Sequence, residues 1–194
     1  MRDGRERERE QERERERFGR LMLPHLDAAY GLARWLTRND ELAEDAVQEA
    51  YLRALRFFGS MRGEDGKPWL LKIVRNACYE MLEREQLPGQ VEEFDEQSHR
   101  EDNAAAGVVV VLPVNPEAAA IERADSQMVR DGLAALPRDF REALVLREIE
   151  GCTYKEIAAI VGAPIGTVMS RLSRARRLLQ GILTERVKAQ QTGT

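Results

Sequence analysis

The segment from Thr153 to Arg177, TYKEIAAIVGAPIGTVMSRLSRARR, concentrates side chains that can bind phosphates and base edges. Its second half places Arg, Ser and Thr opposite an apolar stripe with helical spacing. The stripe is Ile165, Val168, Leu172, Ala175 and Leu179. Guanidinium and hydroxyl groups on such a face can donate to DNA phosphates and to guanine edges in a major groove. A solvated basic helix face is the alternative that the arginines alone leave open.

The start and stop signals around this face predict a helix-turn-helix. Thr153 and Glu156 form a capping box, which begins a helix of residues 154–161. Gly162 permits the left-handed residue of a tight turn, and Pro164 opens a longer second helix. A short helix, a turn with glycine and a longer helix are typical of this motif.

The second helix is therefore predicted to be a recognition helix in contact with DNA. With the apolar stripe turned inward, Arg171 and Arg174 are expected to point outward, together with their neighbours on that face. The predicted DNA-binding residues are Thr167, Ser170, Arg171, Ser173, Arg174, Arg176 and Arg177.

Apolar positions at helical spacing and few strand-forming runs predict an all-α fold. Residues 18–38 have helical spacing, with Pro24 in the first turn of the main helix. Asn39 or Asp40 caps a second helix that reaches Phe58. Residues 59–67 are a loop by composition, and a third helix starts at Pro68 and ends near Glu85. Leu55 is expected on the inner face of the second helix. Phe57, Phe58, Met61 and Trp69 are expected mostly in the core.

Two small helical domains, 18–86 and 117–188, are expected on either side of a flexible linker, 87–116. The linker contains acidic residues and a valine run, Val108 to Val114, that reads as a short strand or a docked apolar strip. Residues 86–125 hold nine acidic and two basic side chains, and residues 163–194 hold six basic and one acidic. Residues 1–17, an alternation of Arg and Glu, are expected to be a disordered charged tail, with an extension of the first helix as the alternative. Residues 189–194 are expected to be a second disordered tail.

Several function classes find no support in the sequence. Two cysteines fall in separate predicted domains, and two isolated histidines offer no zinc-ligand spacing. There is no apolar run long enough to cross a bilayer, no signal-peptide h-region, no phosphate-binding loop and no nucleophile motif. We expect a cytoplasmic protein that is not an enzyme and needs no cofactor, metal or membrane insertion.

The predicted helix-turn-helix resembles region four of the extracytoplasmic-function (ECF) sigma factors of bacterial RNA polymerase. The similarity includes Tyr154, Glu156, Ile157 and Ala158 in the first helix and the run Gly166, Thr167, Val168 in the second. It extends over Ser170, Arg171, Leu172, Arg174, Ala175 and Arg176. The lead-in LPRDFREALVLREIEG, residues 136–151, is similar as well. Met169 and Ser173 depart from the usual pattern, so no promoter sequence is transferred.

The N-terminal half resembles region two of the same family. In residues 43–58 the resemblance implies polymerase binding by Glu44, Asp45, Gln48, Glu49 and Arg53. Residues 62–84 resemble the loop and helix that open the minus-ten DNA. Four cations in this segment could hold the phosphates of a separated strand, and one amide could pair with an extruded base. These residues are Arg62, Lys67, Lys72, Arg75 and Asn76.

The resemblance implies a promoter-directing function with defined partners. These are promoter DNA and core RNA polymerase, through the clamp of its largest subunit and the flap of its second subunit. Family members are commonly held inactive by an anti-sigma factor. A stand-alone helix-turn-helix repressor or activator would explain residues 136–185 equally well but would leave the region-two similarity as coincidence. A pure interaction protein would leave the arginine face unexplained.

Overall fold

The computed structural model describes residues 2–85 and 127–192, and these are helical with no strand among them. The predicted linker and its valine run lie outside the described residues. The N-terminal domain contains α1 (Arg2–Met22), α2 (Leu26–Thr37), α3 (Asp40–Phe57) and α4 (Lys67–Glu85). One-turn 3-10 segments, Leu23–His25 and Phe58–Ser60, follow α1 and α3.

Helices α2, α3 and α4 pack on one another and form the N-terminal core. Leu32, Leu36, Phe58, Leu70 and Leu71 are buried there. The break between α2 and α3 is made by Arg38, whose φ is 60°, and by the predicted Asn39 cap. The Asn39 side chain accepts a hydrogen bond from the Leu42 amide at 3.1 Å. This cap satisfies one of the free amides at the start of α3.

The charge ladder at the N-terminus is helical, so the expected disordered tail is wrong for residues 2–17. Arg and Glu are good helix formers, and the alternation puts opposite charges three residues apart along the helix. The end of α1 is anchored by apolar contacts. Phe18 packs edge-on against Phe58 with ring centroids 5.3 Å apart, and Met22 is buried.

The C-terminal domain contains four helices, beginning with α5 at residues 127–134. The others are α6 (Arg138–Leu144), α7 (Tyr154–Val161) and α8 (Ile165–Thr192). A π-helical stretch, Val145–Ile149, continues α6. Together the two segments correspond to the single helix that was predicted for residues 138–150. Helix α8 extends past Lys188, so the predicted C-terminal tail is helical as far as Thr192.

The two domains pack against each other. Helix α4 contacts α7, and α2 contacts α6 and the π-helical stretch. The buried apolar side chains form one cluster that runs from Met22 in α1 to Ala175 in α8. No helix among the described residues is long and apolar enough to span a membrane.

The capping box at the start of α7 should contribute measurably to the stability of the C-terminal domain. Thr153→Ala should lower the free energy of unfolding by about 1 kcal/mol, because it removes an N-cap acceptor. Urea unfolding followed by circular dichroism measures this difference. Thr184→Ala, which removes an exposed hydroxyl from the middle of α8, is the control and should change stability far less. Equal effects would contradict the structural role of the cap.

Candidate nucleic-acid interface

Helices α7 and α8 form the predicted helix-turn-helix. The Thr153 amide donates to the Glu156 carboxylate at 2.6 Å, and the Glu156 amide donates to the Thr153 hydroxyl at 3.3 Å. Three residues, 162–164, separate the helices, and Gly162 has a φ of 67° that favours glycine. The capping box and the glycine turn are therefore as predicted.

The apolar stripe of α8 seats the recognition helix on α6 and α7. Val168, Leu172 and Ala175 are buried, as predicted. Ile165 is 46% exposed, so its place in the inner stripe is wrong. It is the first residue of α8, at the rim of the turn, where α7 no longer covers the helix.

The outward face of α8 presents hydroxyl and guanidinium groups to solvent. Ser170, Ser173, Arg174 and Arg177 are exposed, and Thr167 is half-buried. No ion pair is recorded for Arg174 or Arg177 within the described residues. These two arginines are free to donate to a phosphate or a base edge. Met169 is exposed on the same helix and was not predicted to take part.

Two arginines of the predicted recognition set are already paired inside the C-terminal domain. Arg171 lies 2.6 Å from the Asp139 carboxylate of α6, so the expectation that it points freely outward is wrong. Arg176 donates to the Glu148 carboxylate at 2.7 Å. Hydrogen bonds with Glu148 and then Tyr154 raise the pKa of Arg176. In both arginines part of the guanidinium is therefore occupied by a carboxylate of the same domain.

The second predicted DNA surface, in the loop before α4 and on α4 itself, is divided by the domain interface. Arg62, Lys72 and Asn76 are exposed to solvent. Lys67 and Arg75 instead face carboxylates of the C-terminal domain. The structure thus places three of the five predicted residues on open surface and two in the interface.

Arg75 is held by a buried carboxylate. Its Nε donates to Glu142 at 2.6 Å, and the Tyr79 hydroxyl donates to the same carboxylate at 3.1 Å. Glu142 is 1% exposed. Burial alone would lower the pKa of Arg75, but the charge and hydrogen bond of Glu142 raise it above its ordinary value. Burial and then Glu142 raise the pKa of Tyr79 to about 12, so its hydroxyl stays protonated and can donate.

Lys67 makes the second contact between the domains. Its Nζ lies 3.0 Å from the Glu150 carboxylate and donates to the Glu150 backbone carbonyl at 2.7 Å. Glu150 closes the π-helical stretch of the C-terminal domain, 83 residues further along the chain. No spacing pattern in the sequence links these two residues.

Helix α3 presents a third surface, where polymerase binding was predicted. Glu44, Asp45 and Gln48 are exposed. Glu49 and Arg53 are paired at 2.6 Å, and Arg53 also reaches Glu80 of α4 at 2.7 Å. Hydrogen bonds with Glu80 and Glu49 raise the pKa of Arg53. Arg53 therefore joins α3 to α4 and is only partly available to a partner.

Exposed leucines extend this third surface and were missed by the sequence reasoning. Leu52 is 63% exposed and Leu55 is 50% exposed, so the inward placement of Leu55 is wrong. Leu52 follows Gln48 by four residues and so lies beside it on the helix. The sequence did contain a signal for this surface, because Leu52 lies beside polar residues on the face of α3 that was predicted to point outward.

The aromatic residues near the loop separate into core and surface. Phe58 and Met61 are buried as predicted, whereas Phe57 is 55% exposed and its expected place in the core is wrong. Phe57 is the last residue of α3, directly before the 3-10 segment Phe58–Ser60. Trp69 is partly buried against the core.

The described part of the chain contains no metal-binding cluster and no exposed thiol. No group of three His, Cys, Asp or Glu side chains is placed to hold a metal ion there. Cys78 and Cys152 are buried free thiols. Burial raises the pKa of Cys78 to about 12 and that of Cys152 to about 11, so both stay protonated at neutral pH.

Two family models match the chain, one in each structural domain. The model of Sigma-70 region 2 matches residues 21–87. The model of Sigma-70, region 4 matches residues 126–179. The region 2 match falls on the N-terminal domain and the region 4 match on the C-terminal domain. Together they include the three surfaces described above.

Curated relatives are similar over most of the chain. The ECF RNA polymerase sigma-E factor of Haemophilus influenzae is 32% identical over 158 residues, 77% of this chain and 77% of that protein. The RNA polymerase sigma-H factor of Pseudomonas aeruginosa is 32% identical, over 87% of this chain and 89% of its own length. The Escherichia coli ECF sigma-E factor is 35% identical over 70% of each chain.

Solved structures share the fold. The sigma factor RpoE of Bartonella quintana, solved with the anti-sigma factor NepR, matches with a TM-score of 0.65 and 31% identity. The match covers 86% of this chain and 96% of that one. CnrH, solved with the cytosolic domain of CnrY, matches with a TM-score of 0.57 at 23% identity. Taken with the two regions and their order, these similarities show that the chain belongs to the ECF sigma factors of RNA polymerase.

Proposed function

We propose that this sigma factor directs core RNA polymerase to its promoters through the three surfaces described above. The observation that supports this most is their co-occurrence in one chain. A region-two helix with an exposed polar and apolar face precedes a region-four helix-turn-helix with free arginines. A stand-alone repressor or activator needs only the second of these features, so the region-two match disfavours that alternative.

The recognition helix is proposed to bind the minus-thirty-five element. Arg174 and Arg177 are exposed and form no ion pair within residues 2–85 and 127–192, and Ser170 and Ser173 lie on the same exposed face. Residues of a recognition helix that face the major groove read base edges, and flanking cations position the helix on phosphates. Arg171 and Arg176 would join the contact by leaving Asp139 and Glu148, since exposed ion pairs are weak and are easily exchanged.

The minus-ten element is proposed to bind at α4 and the loop before it. Arg62 and Lys72 are exposed cations for the phosphates of a separated strand, and the exposed Asn76 amide can pair with a base edge. Lys67 and Arg75 would add two more cations once their carboxylate partners move away.

The exposed face of α3 is proposed to bind the clamp of the largest polymerase subunit, while the flap of the second subunit would bind region four. Asp45, Gln48 and Leu52 offer a charged, a polar and an apolar group side by side. Such a mixture suits a protein interface, where an apolar anchor is surrounded by polar groups.

The chain is proposed to act without chemistry of its own, because the polymerase catalyses RNA synthesis. It would act in the cytoplasm, where promoter DNA and polymerase are. The Bartonella quintana neighbour was solved with an anti-sigma factor. An anti-sigma factor is accordingly proposed as a third partner, in addition to core polymerase and DNA.

Run-off transcription on fragmented genomic DNA tests the proposed function. Purified core polymerase with this chain should give discrete transcripts that core alone does not give. A variant with residues 127–192 deleted should lose them, because it lacks the helix-turn-helix. DNA binding by the chain without any dependence on core, together with no transcripts, would favour the stand-alone regulator.

Arg174→Ala should weaken binding of holoenzyme to a promoter fragment recovered from that assay. A bidentate contact to guanine would make the loss about 1–3 kcal/mol and would relax specificity at one base pair. Fluorescence anisotropy at one fixed salt concentration measures the change, since binding to DNA depends strongly on salt. Arg186→Ala removes the same charge from the far part of α8 and is the control. Equal losses would argue against the recognition role of Arg174.

Gln48→Ala combined with Leu52→Ala should weaken binding to core polymerase. Loss of an apolar anchor and its polar neighbour in a protein interface typically costs more than about 1 kcal/mol. Surface plasmon resonance with immobilised core measures the affinity. Leu178→Ala, which truncates an exposed leucine of α8, is the control. Unchanged affinity of the double variant would contradict the polymerase-binding role of this face.

A further inference from the structure

The outward face of α8 has two edges of different chemistry. One edge carries Thr167, Arg171 and Arg174, which follow one another at intervals of four and three residues. The other edge, called the apolar edge here, is formed by Ile165 and Met169. These two are four residues apart, so their side chains are neighbours on the helix surface. Met169 is 52% exposed and Ile165 is 46% exposed.

The apolar edge cannot read the hydrogen-bonding groups of a base pair. An isoleucine side chain has no donor or acceptor, and the thioether of methionine is only a weak acceptor. Residues 165–170, IGTVMS, include no charged side chain and no side-chain amide. The guanidinium groups of α8 begin at Arg171. A contact from Ile165 or Met169 to a base edge is therefore an apolar contact.

The major groove of DNA offers one apolar group for such a contact. This group is the C5 methyl of thymine, which apolar side chains can touch. Residues near the start of a recognition helix are the ones that usually reach base edges. Ile165 and Met169 lie in the first two turns of α8, and no other part of the described chain comes within 4 Å of the place that a Cβ would take at Gly166. The start of the helix is therefore slim and uncovered, as entry into a groove requires.

The position of the apolar edge distinguishes it from ordinary exposed side chains. A single exposed apolar residue is common on protein surfaces and would carry no argument. Here two of them are adjacent, on the second helix of a helix-turn-helix, and Met169 is followed directly by the exposed Ser170. The edge belongs to this chain, since Met169 is one of the two positions where the helix departs from the family pattern.

We propose that Met169, supported by Ile165, reads thymine methyl groups in the minus-thirty-five element. The unbranched, flexible side chain of Met169 can adapt to a methyl group in the groove. Arg174 on the opposite edge contributes the polar part of the recognition. This inference rests on the proposed function, because it needs α8 in the major groove of a promoter.

Replacement of thymine by deoxyuridine tests the contact. Deoxyuridine lacks only the C5 methyl and keeps the hydrogen bonds of the base pair. Each thymine in either strand of the minus-thirty-five element is replaced in turn, and binding of holoenzyme is measured by fluorescence anisotropy at one fixed salt concentration. We expect at least one replacement to weaken binding about fourfold, the factor for one methyl group lost from an apolar contact. No effect at any position, or an element without thymine, would overturn the proposal.

Two substitutions of Met169 assign the methyl effect to this side chain. Met169→Gln keeps the length of the side chain but replaces the thioether by a polar amide, so it should bind the thymine and deoxyuridine fragments equally well. Met169→Leu keeps an apolar side chain of similar volume and should retain most of the deoxyuridine penalty. Because Met169 is exposed, neither change disturbs the core. A penalty in Met169→Gln equal to that of the wild type would overturn the proposal.

The matched control lies on the same side of the same helix. Val187 is 40% exposed and lies roughly five turns, or 27 Å, further along α8 than Met169. Val187→Ala should therefore keep the full deoxyuridine penalty. Loss of the penalty in this variant as well would show that the effect does not come from a local contact, and would overturn the assignment to Met169.

A protein partner is the other possible occupant of the apolar edge. Surface plasmon resonance with immobilised core, in the absence of DNA, measures this alternative. Met169→Gln should bind core with wild-type affinity. Weaker binding of Met169→Gln to core, with the deoxyuridine penalty unchanged, would make the apolar edge a protein-binding surface and reject methyl reading.

Failure of this inference can be told apart from failure of the proposed function. Core-dependent transcripts and weaker promoter binding by Arg174→Ala, without any deoxyuridine effect, would reject methyl reading alone. Absence of core-dependent transcripts would reject the promoter-directing function. The same replacements in a DNA fragment bound by the free chain would then decide whether Met169 contacts thymine methyl groups.

Discussion

The arrangement of the two domains depends on the burial of Glu142. A carboxylate with 1% exposure has lost its water and needs hydrogen-bond donors from the protein in its place. Both of its donors beyond its own domain, Arg75 and Tyr79, project from α4. The Tyr79 ring is in turn covered by two guanidinium groups, Arg75 at 4.3 Å and Arg138 at 4.8 Å. Region four is therefore seated on region two by the shared apolar cluster and, within it, by a small set of polar contacts around Glu142.

The neighbouring Arg141 shows a different solution to the burial of a charge. It is 5% exposed and gives its Nη1 hydrogens to the backbone carbonyls of Ala134 and Leu136, at 3.0 and 3.3 Å. Burial, and then the nearby Arg38 and Arg138, lower its pKa. No carboxylate of the described residues pairs with it. Arg141 therefore fixes the turn between α5 and α6 through backbone acceptors, while the carboxylate of the adjacent Glu142 is left to bind across the interface.

The helices and their ends could be predicted from the sequence because their causes are local. The Asn39 cap, the capping box of Thr153 and the left-handed Gly162 each act within three or four residues. Burial of Val168, Leu172 and Ala175 followed from spacing alone. Spacing failed at two helix ends, where the apolar side chains of Ile165 and Phe57 are exposed.

The pairing of charged side chains could not be predicted, because the partners come from distant parts of the chain. Arg171 and Arg75 look alike in a helical pattern, as basic residues on a polar face. One is paired within its domain with Asp139, and the other across the interface with Glu142. Only the three-dimensional arrangement distinguishes an arginine that is free from one that is occupied. Leu52 lies outside the predicted apolar stripe of its helix, and spacing does not indicate whether such a residue belongs to a surface that binds a partner.

The three surfaces differ in how much of each is exposed while the two domains are in contact. Asp45, Gln48 and Leu52 of α3 are exposed while the domains are in contact. Arg174 and Arg177 of α8 are exposed as well. Only the minus-ten surface shares residues, Lys67 and Arg75, with the interface. Lys67 and Arg75 are paired with Glu150 and Glu142 of the C-terminal domain, whereas the exposed residues of α3 and α8 can contact a partner with the two domains packed as they are.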